Sequence, residues 1–232
     1  MRCGGRSRGP AALALLVALA AAPLAAQDRQ AALLRQAVEV LSSITEMPDR
    51  EIPQAMLKDV AGVAIFPEVR KWGIMVGLQR GKGILVSRSG TRWGTPLFVS
   101  LSGGTVGWQL GIQSVDLVLF LRTPQSVQLV LEGGLTVGVD AGVSAGSVGR
   151  QAGAITDTSL GAEIFTYARS RGFFAGVTLA SADIIPDEDA NAAFYGRRGI
   201  APADILAGRG IPSPALLGEL RAALERAVRS AP

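Results

Sequence analysis

The residues that most invite a chemical reading are Gly142-Val143-Ser144-Ala145-Gly146, which match the Gly-x-Ser-x-Gly pattern of serine hydrolases. That pattern needs a histidine to activate the serine, and the chain contains none. Ser144 also falls inside a run of alternating apolar and small residues, not at a strand-to-helix turn, so the hydrolase reading is rejected. Gly77-Leu78-Gln79-Arg80-Gly81-Lys82-Gly83 resembles a phosphate-binding loop but is one residue short. Gly83 stands where a hydroxyl would hold magnesium, so a hairpin turn through Arg80-Gly81-Lys82-Gly83 is expected instead. Asp187, Asp189 and Asn191 imitate the start of a calcium loop. Ala192 occupies its glycine position and no glutamate closes it, which leaves helix capping as the expectation. With no histidine, and Cys3 as the only cysteine, zinc and copper sites are disfavoured. Asp116 lies among Val115, Leu117, Val118, Leu119 and Phe120, so its carboxylate is expected to be at least partly buried and hydrogen-bonded or paired, a structural network being favoured over a carboxylate-dependent hydrolase. No catalytic residue, metal ligand or cofactor is assigned.

Binding chemistry is better represented. Lys58, Arg70, Lys71, Arg80, Lys82 and Arg88 form a locally positive segment whose only nearby acids are Asp59 and Glu68. With Arg35 they are the candidate contacts for an anionic lipid surface. The N-terminus carries Arg2, Arg6 and Arg8 ahead of the apolar run 11–22, followed by Pro23-Leu24-Ala25-Ala26, the layout of a secretory signal peptide cleaved near Ala26. The apolar run is shorter than the roughly 20 residues needed to span a bilayer. Export to the periplasm or the exterior is therefore expected. Removing residues 1–26 would take away three arginines and no acid, leaving 20 basic against 19 acidic groups, too little excess for a nucleic-acid surface. The chain after Ala26 has no cysteine, so packing alone must stabilise it.

The elements that must position these residues follow from periodicity. Residues 28–45 form an amphipathic helix with Leu34, Ala37, Val38, Leu41 and Ile44 on one side, a face that could enter lipid or pack on the domain. A short helix is expected from Pro53, then a strand 61–66 closed by Pro67. Alternation at Ile74, Val76 and Leu78, at Leu97, Val99 and Leu101, at 105–113 and at 135–145 predicts strands, with turns about every 10 residues. Gly107 and Gly111, with Gly138, Gly142 and Gly146, then line one nearly bare sheet face, suited to strand coiling or to a shallow acyl groove. Further helices are expected at 124–131, 190–195 and 214–228, and a hairpin through Arg169-Ser170-Arg171-Gly172 whose first arm, 164–168, could equally be helical. The expected architecture is a single α+β domain, residues 27–197, built on a curved, mainly antiparallel glycine-rich sheet, barrel- or sandwich-like, with packed helices. Residues 198–232 add a Gly/Pro-rich linker and an amphipathic helix that packs back or engages a protein partner through 214–228.

The run Ser102 to Val118, with its core Gly103-Gly104-Thr105-Val106-Gly107-Trp108, resembles the signature of SYLF domains, the lipid-binding domain also called the Ysc-type actin-binding domain. Ala61-Gly62-Val63-Ala64-Ile65-Phe66-Pro67, Gly81-Lys82-Gly83, the stretch Ser170 to Val177 and the stretch Asp189 to Gly196 are similar to further family landmarks, in the same order, so that the likeness covers about residues 30–197. The resemblance implies an α+β domain with a curved antiparallel sheet. In eukaryotic relatives it implies phosphoinositide binding helped by an N-terminal amphipathic helix and basic residues, and in some of them actin binding; bacterial relatives are typically exported. Phospholipid binding is carried over as the expected function. Actin is not, because the mature charge is nearly balanced and an exported protein would not meet it.

Overall fold

The computed structural model describes residues 10–45, 60–133, 135–139, 148–156, 163–171, 175–176, 179–212 and 216–229. In chain order these form α1 (Pro10–Thr45), β1 (Gly62–Ser89), β2 (Arg92–Trp93), β3 (Leu97–Leu121), α2 (Pro124–Leu131), β4 (Leu135–Val139), β5 (Val148–Thr156), β6 (Glu163–Arg171), β7 (Ala175–Gly176), β8 (Leu179–Pro186), α3 (Glu188–Tyr195), α4 (Pro202–Leu206) and α5 (Leu216–Arg229). The expected helix from Pro53 lies outside the described residues.

The organising feature is one very long antiparallel hairpin. β1 and β3 pair from Gly62↔Leu121 to Leu85↔Leu97. Two sequence expectations are corrected here. The turn expected at Arg80-Gly81-Lys82-Gly83 is absent, because these residues sit in the ladder opposite Ser102, Leu101, Ser100 and Val99; the chain turns later, through Gly90 at φ 60°. Pro67 does not close the strand either. Pro67 and Glu68 together oppose Asp116 in a bulge between the Phe66↔Leu117 and Val69↔Val115 pairs, which takes the proline's missing N–H out of the ladder. Glu68 adopts φ 57°, and its N–H donates to Asp116 Oδ1 at 3.2 Å. Asp116, 3% exposed, is thus buried and hydrogen-bonded as expected, and holds a strained backbone in place.

The hairpin does not run straight. A Cβ built on Gly81 would lie 2.8 Å from Val69 Cγ2, and one on Gly83 would strike the Ile65 carbonyl oxygen and the Phe66 ring. Residues 12 or more apart on one strand therefore meet face to face. The ribbon doubles back so that its two arms pack inner face on inner face, and the Gly81 and Gly83 positions admit only a missing side chain. One arm is extended by β6 and β5, through Ser114↔Arg171 to Leu121↔Ile164 and then Val148↔Arg171 to Thr156↔Glu163. The other is extended by β8 and β4, through Val99↔Pro186 to Val106↔Leu179 and Leu135↔Ile184 to Val139↔Ala180. The result is a curled antiparallel half-barrel, the architecture the sequence implies, but made of a few very long strands in place of many short ones. The 164–168 segment is strand, and β6 continues through Arg171 where a turn was expected. Of the 135–145 strand, 135–139 is β4 and the remainder lies outside the described residues.

Helices close the base. α2 is capped by Thr123, whose Oγ1 accepts from Ser126 N at 3.2 Å, and Val127 sits against Gly62. α3 is capped by Asp187, whose Oδ1 accepts from Ala190 N at 3.1 Å, and ends on Gly196 at φ 68°, as the capping expectation for this segment required. Its Asn191 side chain accepts from Phe98 N and donates to Phe98 O, both at 2.9 Å, supplying the bonds a further strand would give. α1 is continuous through the segment expected to be a signal. Its residues Leu34, Ala37, Val40 and Leu41 are buried and join one core with Leu217, Leu220, Ala223 and Leu224 of α5 and Ile205 and Leu206 of α4.

Candidate functional site: arginine rows on the outer sheet face

Folding back separates residues that the sequence places side by side. The inner faces of the arms touch at Val69 and Gly81, so the outer faces point to opposite sides of the molecule. Arg70 and Trp72 stand on the outer face of the first arm, exposed; Leu78, Arg80 and Lys82 stand on that of the second, also exposed. Lys71, on alternate parity, is turned inward and half-buried, and loss of water lowers its pKa from the ordinary lysine value. Lys82 Nζ forms an ion pair with Asp187 Oδ2 at 2.6 Å. The Arg88 guanidinium lies over the Trp93 ring, 5.7 Å from its centroid. Arg35 is exposed on α1, and Lys58 lies outside the described residues. The expected basic cluster is therefore distributed over several surfaces.

The glycines are likewise divided. Gly111 pairs with Gly73, and Gly107 falls where β3 bows between Val76↔Val106 and Ile74↔Leu110. Gly138 is level with Ser181 and, across β8, with Gly104. Gly142 and Gly146, with Ser144, lie outside the described residues.

The register assembles a different cluster. Arg70, Ser114, Arg171 and Val148 occupy one row across β1, β3, β6 and β5, and the next row runs Asp116, Arg169, Arg150. Neighbouring strands are about 4.8 Å apart and alternate positions along a strand share a face, so these rows bring four arginine positions onto one face. Asp116 and the bulged Glu68 are the acids beside them. Trp72, 40% exposed, follows Arg70 two residues along the same face. Sequence reasoning missed Arg150, Arg169 and Arg171. The i, i+2 spacing of Arg169 and Arg171 was visible, but a turn was assigned there, and Arg150 joins them only through strand pairing.

The apolar face of α1 is not free for lipid, since Leu34, Ala37, Val40 and Leu41 are buried where α1 meets α5, α3 and β1. The apolar face of α5 is occupied in turn. Among the described residues, no group of three or more Asp, Glu, His or Cys is placed to hold a metal ion.

Comparison with known proteins identifies the lineage. Residues 102–227 match the family model described as Ysc84, Las17-binding protein actin regulator. The chain is 35% identical over 192 residues to LAS seventeen-binding protein 3 of Saccharomyces cerevisiae, covering 78% of this chain and 41% of that protein. It is 33% identical over 181 residues to SH3 domain-containing YSC84-like protein 1 of Xenopus laevis, covering 75% and 54%, and 34% identical over 193 residues to the protein of that name from Homo sapiens, covering 80% and 56%. The chain spans about half the length of these relatives. No solved structure matches it. The family match runs past residue 197 to the last helix, in keeping with the packing of α5 into the shared core, and the chain belongs to the Ysc84, or SYLF, family.

Proposed function

We propose that the protein is a non-catalytic binder of anionic phospholipid surfaces in the cell envelope, reaching that compartment by export and removal of residues 1–26. The observation that carries this reading is the pair of arginine rows, Arg70 with Arg171 and Arg169 with Arg150, beside the exposed Trp72. Guanidinium groups engage lipid phosphates and the indole lies among the head groups. Family membership supports a binding role, the relatives' names describing binding and SH3-containing proteins. The actin regulation in the family description is not carried to this chain, because an exported protein does not meet actin.

Flotation of the mature chain with vesicles tests the reading. Each arginine near an anionic surface contributes about 1 kcal/mol, so Arg70→Gln with Arg171→Gln should weaken binding to phosphatidylglycerol vesicles roughly 30-fold at low salt. Wild type should leave phosphatidylcholine vesicles unbound. No flotation with anionic vesicles, or flotation unchanged in the double variant, overturns the reading.

A further inference from the structure

The outer face of the second arm is built unlike a solvated surface. Register rows cross it as Lys82, Ser100, Ile185; then Arg80, Ser102, Asp183, Thr136; then Leu78, Gly104, Ser181, Gly138. The β3 column is Ser100, Ser102 and Gly104, a low floor, and a Cβ on Gly104 would meet nothing within 4 Å. Beside it stand two of the large exposed apolar side chains, Leu78 at 49% and Ile185 at 41% exposure. Lys82 is already paired with Asp187. Arg80 and Asp183 share a row but are kept about 10 Å apart by the intervening β3 strand. Asp183 accepts from Thr136 Oγ1 at 2.7 Å, and among the described residues neither it nor Arg80 forms an ion pair.

We propose that this face is the interface of a homodimer, its occupant a second copy of the chain. The argument is self-complementarity. A two-fold axis lying along β3 in the interface carries the β1 column of one copy over the β8 column of the other, so that each Arg80 meets the other copy's Asp183 and the pair is made twice. The same operation sets Ile185 over the stem of Lys82 and Leu78 over the small Ser181 position. The low serine and glycine floor lets two sheets approach to the roughly 10 Å of ordinary face packing. Charge also selects the occupant: Arg80 and Lys82 are matched by Asp183 and Asp187, a neutral face that neither repels its own copy nor favours an anionic membrane.

Sedimentation equilibrium on the full chain, read up to about 100 μM, tests it. Wild type should be a dimer. Arg80→Asp and Asp183→Arg should each weaken the dimer at least about tenfold by opposing like charges, and the double swap should restore it. Both sites are exposed, so thermal melting should confirm that every variant folds. A monomeric wild type, single variants that dimerise normally, or a double variant that stays monomeric would each overturn the proposal.

Discussion

Glycine at the arm crossing and glycine on the outer face look alike in sequence, yet the structure sets opposite demands on them. A Cβ on Gly83 would strike the Ile65 carbonyl and the Phe66 ring, and one on Gly81 would lie 2.8 Å from Val69 Cγ2, whereas Gly104 faces open space. The neighbours of Gly83 include backbone, which cannot step aside as a flexible side chain can. Gly83→Ala should therefore cost about 1–3 kcal/mol and Gly104→Ala well under 1 kcal/mol, read as the shift in urea midpoint at constant slope. Equal effects at the two positions would mean that the arms do not cross at Gly83. The same contrast explains why the glycine pattern could be seen in sequence but not assigned: period two places the glycines on faces, while their meaning depends on which residues of a distant half-strand lie opposite.

At the scale of elements, the tie between α3 and the sheet is polar and specific. Asn191 satisfies both backbone groups of Phe98 and donates at 2.7 Å to the Asp187 carbonyl, and the Tyr195 hydroxyl donates at 2.5 Å to Pro96 O. Asn191→Ala leaves the buried Phe98 N–H unpaired, while the Phe98 carbonyl still accepts from Asp187 N at 2.9 Å, and should cost about 1–3 kcal/mol in chemical unfolding. Tyr195→Phe should cost about 1 kcal/mol. Burial raises the Tyr195 pKa above its ordinary 10.0, so its contribution is complete below that pH and is lost as pH rises above it, when the unfolded chain releases the proton first. The steeper alkaline loss of stability should vanish in Tyr195→Phe. Helices were legible because caps are local: Asp187 and Gly196 sit where the sequence marks them, and Thr123 caps the helix that Pro124 opens. Strand ends were not. Arg80-Gly81-Lys82-Gly83 has turn composition, but its ladder partners Ser102 to Val99 lie far along the chain and override it. The arginine rows were illegible for the same reason, since Arg70, Arg171 and Arg150 become neighbours only after β1, β3, β6 and β5 align.

For the whole molecule, the doubled ribbon has a consequence that neither face has alone. Contact of Val69 with Gly81 turns the Arg70 and Trp72 face away from the Arg80 face, placing them on opposite sides. A dimer closed through the Arg80 faces would carry its two arginine surfaces outward in opposite directions, and so could hold two lipid surfaces at once. Added to phosphatidylglycerol vesicles, the mature protein should raise scattering by clustering them, with a maximum at intermediate protein-to-lipid ratio because excess dimer saturates each vesicle separately. Arg80→Asp should abolish clustering while leaving flotation intact; Arg70→Gln with Arg171→Gln should abolish clustering and reduce flotation together. A wild-type dimer that floats with vesicles yet never clusters them would mean that the two arginine surfaces lie on one side of the assembly, which requires the copies to meet by a face other than the one carrying Arg80 and Asp183.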